Sequence, residues 1–379
     1  MTTIAATQVA EFYLDSPDGT RIKLLDVLTS YAYANLGNEP GPFSINLPYN
    51  FDRSSIGPDF IIEVWRGIEG ESMRIDYCGF IRKIIYGDVG GVPYTNVSGL
   101  STMEILMRRT SEDQAGVVQT TLTDSADDLL KAIFKDQFLA DAIAARDLTA
   151  VAGGVTVEGD NAAAPSQTKE FNHKNVLEVM QEIAQASKEA GTPLYFDVVP
   201  VIGSVTTGLL GFKFETFIGQ RGSDRTFDSN NPVYIGPDWE NLTNGELIYD
   251  YSNEINFVTV LGKGDGPAQE TRTRSDPTRM ASSIWNRREG IKNATNAAIG
   301  DTAALDAEGD AFLSENKPKI TFTGDIQETK SFRYGYNWFH GDRVTIQYAD
   351  FEADASIDKV FVAKESGPEV ITAKLEVSE

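Results

Sequence analysis

The side chains able to carry chemistry are few and scattered. The chain holds two histidines, His173 and His340, and one cysteine, Cys78, among 56 aspartates and glutamates. His340 stands in YGYNWFHGDRVTIQYADF, residues 334–351, directly before Gly341, Asp342 and Arg343 and after four aromatics, Tyr334, Tyr336, Trp338 and Phe339. Three roles are open to such a histidine: proton transfer, metal ligation, or a turn that launches a strand. Proton transfer needs a nucleophile or second base in reach, and the sequence has no G-x-S-x-G turn to present one. Metal binding needs ligands at fixed spacing, yet there is no H-E-x-x-H, no cysteine pair and no complete EF-hand loop. Catalytic, cofactor-binding and metal residues are therefore expected to be none. Gly341 and Asp342 read as a structural turn, with Val344, Ile346 and Tyr348 alternating along the strand that follows. Cys78, in the apolar run RIDYCGFIRKI, reads as a small buried hydrophobe. A pair of carboxylates at glycosidase separation is neither visible nor excluded among so many acids. GKGDG at 262–266 lacks the lysine-serine or lysine-threonine of a phosphate loop and reads as a hairpin turn.

Charge narrows the class further. With 33 basic against 56 acidic residues the formal charge is −23, which repels nucleic acid at long range. One stretch opposes that balance: ETRTRSDPTRMASSIWNRREGIK, residues 270–292. Its cations could contact phosphates or bridge to an acid-rich neighbouring subunit, and the abundance of carboxylates favours the second. Arg272, Arg274, Trp285, Arg287 and Arg288 are the candidate subunit-interface residues, with Trp285 as the anchor. No basic n-region opens the chain, and no apolar run reaches the length of a membrane helix, which points to a cytoplasmic product without stable membrane insertion.

The elements that must position these residues follow from hydrophobic period. Residues 1–109 read as short strands, among them AEFYLD, FSINLPYN, FIIEVWRG and CGFIRKI, with a hairpin around Glu69–Gly70–Glu71. Residues 110–250 carry two helices. The first has Leu129, Leu130, Ile133, Phe134 and Phe138 on one face, Asp124 as its cap and Asp127 and Asp128 in its first turn. The second has Val176, Leu177, Met180, Ile183 and Ala184 and stops at Gly191. TAVAGGVTVEGDNAAAPSQT between them reads as a long loop. Residues 255–261 alternate with both faces largely apolar, as a strand buried on two sides does. They are expected to close a second barrel, 251–269 plus 318–379, with 270–317 inserted as a basic loop and a helix capped by Asp301. The expected class is α+β, mainly β, with two small β-barrels and α-containing insertions.

In order, YDYSNEINFVTVLGKGDG, the arginine loop with SIWNRREG, the helix AALDAEGDAFLSE and YGYNWFHGDRVTIQY resemble the tail-hub (baseplate-hub) proteins of long-tailed bacteriophages. PGPFSINLPYN, WRG, CGFIRKI and GLSTMEILMRR are similar to that family's first barrel. The resemblance covers nearly the whole chain and implies hub-type barrels in a homotrimer without enzymatic activity. The implied ring meets a hexameric tail tube or distal tail protein on one side and the tip or fibres on the other. Tape-measure protein is a further implied partner, and DNA passes through without specific binding. Such a protein resides in the virion tail tip after assembly in the host cytoplasm. Some hubs carry a peptidoglycan-cleaving domain beyond the second barrel, and with Glu379 so soon after the His340 motif none is expected here. A cell-envelope glycan hydrolase or glycan-binding module and a type VI secretion spike-like component are the alternatives.

Overall fold

IIEVWRGI, the strand Ile61–Ile68, is buried at every position. Its apolar residues serve both faces, so it needs cover on each side and an antiparallel neighbour on each edge. The computed structural model supplies the neighbours as Gln8–Asp15 and Arg74–Val89. It describes residues 8–377 apart from 27, 49–50, 69–71, 112–119, 140, 143, 152–153, 296–297 and 330–331. The expected hairpin at 69–71 lies outside the described residues, although the strands on either side of it do pair.

The chain forms two compact units: Met1–Lys188, Thr192–Glu246 and Phe322–Glu379 make the first, and Glu189–Gly191 with Leu247–Thr321 the second. The first is built on a 14-stranded sheet. From one end its order is Leu242–Asp250, Lys319–Ile326, Val370–Val377, Phe351–Lys364, Ser30–Leu36, Pro42–Leu47, Val92–Ser101, Arg74–Val89, Ile61–Ile68, Gln8–Asp15 and Arg21–Leu24. Arg343–Tyr348 pairs with Phe351–Lys364 off this path. The N-terminal and C-terminal strand blocks thus share one sheet, joined where Lys359–Lys364 runs antiparallel to Tyr31–Leu36. The ladder is an open path among the described residues, and no closed barrel forms.

The helices fall where the 3.6-residue period places them, Ala126–Phe138 and Val176–Glu189. They pack on a three-stranded sheet of Leu194–Ser204, Gly208–Ile218 and Val155–Val157. Phe134 stacks on Phe138 at 4.9 Å and on Phe214 at 4.6 Å between ring centroids. Two local expectations are corrected. Ser125, not Asp124, is the N-cap of the first helix, because the helix begins at Ala126, and Asp124, one residue further out, accepts from the Ser125 N–H instead. The segment read as a loop holds two strands, Val155–Val157 and Ser166–Phe171. Small residues hide them in sequence. They are held from outside, where Asp128 accepts from the backbone N–H groups of Asn161 and Ala162, and Asp127 from that of Ala164. Lys131, fully buried, neutralises both acids at 3.4 and 3.1 Å.

In the second unit Phe257–Leu261 does not join the C-terminal strands. It pairs antiparallel with Thr271–Ser275 and parallel with Glu289–Asn293. The helix Thr302–Glu315, capped by Asp301 onto the Ala304 N–H, packs Leu305 and Leu313 on Val258 and Val260. That helix supplies a local apolar partner, so the strand needs no barrel. Only Val258 and Val260 are fully buried, which makes it a one-sided strand.

Candidate functional site

Two places collect the side chains singled out by type, one in each unit. In the first, Gly341 turns the chain at φ +87°, a conformation that side chains disfavour. A Cβ there would lie 2.8 Å from the Arg221 Cβ. Asp342, 1% exposed, binds three donors: the Ser223 N–H at 2.7 Å, Arg225 Nε at 2.6 Å and the Phe339 N–H at 3.0 Å. The acid therefore ties residues 223–225 to the turn and orients the strand Arg343–Tyr348. Of the four aromatics before His340, Tyr334 and Trp338 are fully buried with rings 4.8 Å apart, whereas Tyr336 is exposed.

His340 is held from both ring nitrogens. Its Nε2 faces the Asp358 carbonyl at 2.8 Å and its Nδ1 faces Arg221 Nη1 at 2.5 Å. A carbonyl only accepts and a guanidinium only donates, so the proton sits on Nε2 and Nδ1 accepts. Burial, and then the Arg221 charge, push the imidazole down to about 3, so it is neutral at pH 7. Arg221 is in turn paired with Asp197. A cavity of about 220 Å³ opens beside this group, also lined by Arg74, Asp76, Glu39 and Cys78. Its carboxylates are matched by cations: Asp197 by Arg221, Asp76 by Arg66 at 3.5 Å and Glu39 by Lys359 at 3.1 Å. Burial holds the Cys78 thiol far above its usual range, so no thiolate forms near neutrality. Among the described residues no group of three His, Cys, Asp or Glu side chains is placed to hold a metal.

The second place is the basic edge of the second unit. Arg272 and Arg274 lie two apart on a strand, about 6.6 Å along it. Asp306 and Asp310 lie four apart on the helix, about 6 Å along its axis. The two spacings match, and each guanidinium forks onto its carboxylate: Arg272 onto Asp306 at 2.9 and 2.7 Å, Arg274 onto Asp310 at 2.7 and 2.8 Å. Arg287 reaches Glu289 at 2.5 Å and covers the Phe257 ring at 4.0 Å, and Arg288 Nη2 donates to the Ser252 carbonyl at 2.9 Å. The arginines read as an interface thus all have intrachain partners.

What the edge presents outward is apolar. Trp285 is 85% and Ile284 91% exposed, at the tip of a loop fixed from beneath. Buried Asn256 accepts from the Arg288 N–H at 2.9 Å and donates to the Asn286 carbonyl at 2.6 Å. Arg279 donates to Asp276 at 2.8 Å and to the Leu313 carbonyl at 3.0 Å. Sequence reasoning found Trp285, counted Arg279 only among the cations of the basic stretch, and missed Ile284 and the bracing by Asn256 and Arg279. The signal for the first was available: two adjacent large apolar residues among serines, asparagine and arginines.

Comparison with known proteins agrees with this architecture. Residues 11–368 match the family described as Siphovirus ReqiPepy6 Gp37-like protein. The tail protein from Neisseria meningitidis MC58 has a similar fold, TM-score 0.59 at 15% identity, over 97% of this chain and 96% of that one. The 43 kDa tail protein of prophage MuSo2 from Shewanella oneidensis gives 0.60 at 13% identity, over 96% and 98%. A chain of the Francisella PdpA–VgrG complex gives 0.54 at 11% identity, over 98% of this chain and 58% of that one. No curated protein matches the sequence.

Proposed function

The chain belongs to the Siphovirus ReqiPepy6 Gp37-like family of phage tail proteins, and from that premise we propose that it builds the hub of a tail tip. Three copies would form a ring joining the tail tube or distal tail protein to the tip or fibres, with tape-measure protein and DNA passing its centre. Two hub-type barrels per copy, closed only between subunits on assembly, belong to the same proposal. The observation that carries it is the whole-length likeness to two tail proteins, one of them from a prophage, which accounts for both units with one fold. The displayed Ile284–Trp285 tip supports a contact between copies, because a large apolar pair on a braced loop is suited to burial in a partner. The charge of −23 per chain suits a ring that must not retain DNA, since retention scales with neutralised phosphates.

A spike-like component of a type VI secretion system is the second reading, favoured by the likeness to the Francisella chain. Mass spectrometry of purified virions separates the two, and presence in the particle supports the tail hub. Solution mass with electron microscopy tests the ring: a trimer with a central opening is expected. A monomer that cleaves envelope glycan would replace both readings with an enzyme.

A further inference from the structure

In the first unit two acids lie side by side with nothing on their outer oxygens. Asp15 and Glu63, on adjacent strands, are both 0% exposed. Arg21 binds them together, Nε to Asp15 Oδ1 at 2.8 Å and Nη2 to Glu63 Oε2. The Trp65 indole N–H also donates to Glu63 Oε2, at 2.6 Å. That leaves Asp15 Oδ2 and Glu63 Oε1, each buried with no hydrogen-bond partner. Ionised carboxylates only accept, so the two orphans satisfy each other only when one carries hydrogen.

We propose that Asp15 and Glu63 share one proton between Asp15 Oδ2 and Glu63 Oε1, and that this proton makes Arg21's hold on the 204–208 turn sensitive to pH. With the proton in place the pair carries one negative charge against one arginine. When it leaves to solvent, two buried carboxylates face a single guanidinium, and the excess charge is stranded away from water. The groups facing the pair make this worse. Across the ladder from Glu63 are Tyr13, whose hydroxyl is bound to Glu11, and Cys78, which burial first, and then the pair and Asp197, keep protonated. Arg21 is the cation that opposes the rise at Glu63. Burial first, then the contact with Asp15, push the Glu63 carboxyl up to about 7.

Arg21 transmits the change. Its Nη1 donates to the Val205 carbonyl at 2.5 Å, in the turn between Leu194–Ser204 and Gly208–Ile218. Gly208, at φ +68°, lets the guanidinium close in, since a Cβ there would lie 2.6 Å from Nη2. A second carboxylate charge draws the guanidinium inward and loosens its bond to the turn.

The test is unfolding of the full chain against pH, beside Glu63→Gln and Asp15→Asn. The native fold holds a proton that the unfolded chain releases near pH 4.5, so its stability falls as pH rises from there through 7. The limit is about tenfold in the folded-to-unfolded ratio per pH unit. Glu63→Gln places a permanent donor opposite Asp15 and should flatten that slope. It should also remove the excess exchange of the 204–208 amides expected of the native chain above pH 7. An unchanged slope in Glu63→Gln would overturn the proposal. Should both variants fail to fold, isotope-edited infrared of the native chain decides: a side-chain carboxyl titrating near pH 7 supports the shared proton, and none titrating there refutes it.

Discussion

Two sets of arginine contacts, one in each unit, do opposite work. In the first unit Arg66 is buried and joins distant parts of the chain. Arg66, 1% exposed, forks onto Glu369 at 2.7 and 3.0 Å, donates to the Tyr33 hydroxyl oxygen at 2.7 Å and lies 3.5 Å from Asp76. Burial alone would lower its pKa, but Tyr33, Glu369 and Asp76 more than offset this, so it stays charged. In the second unit Arg272 and Arg274 lie near the surface, each forked onto one acid of the same helix. The difference follows from solvation. A buried ion is expensive to leave unmatched, whereas an exposed pair is screened and contributes little. Buried arginines therefore specify the architecture, and the exposed ones are free to be modified by a partner surface.

Breaking the buried side should have the largest effect. Arg66→Ala strands Glu369 and is expected to cost about 3–5 kcal/mol by denaturant unfolding. A loss like that of a surface substitution would show that Glu369 is rehydrated and the contrast false. Gly341→Ala comes next. Strain at positive φ and the collision with Arg221 should cost about 1–3 kcal/mol. His340→Gln should cost less, because an amide can still donate to the Asp358 carbonyl; the reverse order would reopen His340 as a functional residue. On the exposed side, Arg274→Ala should stay within about 0.5 kcal/mol. Trp285→Ala should leave the unfolding curve of the separated chain equally unmoved while weakening assembly.

The sequence discloses what depends on local period and little of what depends on partners. The faces of both helices, Gly191 at φ +86° as a helix stop and Asp301 as a cap were legible, because each is set within a few residues. The strand Phe257–Leu261 was legible as a strand, but its neighbours were not, since alternation fixes a face and not a partner. The basic edge shows the same limit. Charge count marked Arg272 and Arg274 as unusual, yet only the fold reveals that Asp306 and Asp310 already occupy them. The pair of Asp15 and Glu63 left no local trace, because the two are brought together by strand pairing across 48 positions, 15 to 63.

The central claim is that the chain assembles through the face that displays Trp285, and mass in solution across a concentration series tests it most directly. The native chain should form a trimer. Trp285→Ala, or Arg287→Glu with Arg288→Glu, should shift it towards monomer with the unfolding curve of the monomer preserved. A native chain that stays monomeric at every concentration, or variants that assemble as the native chain does, would contradict the account.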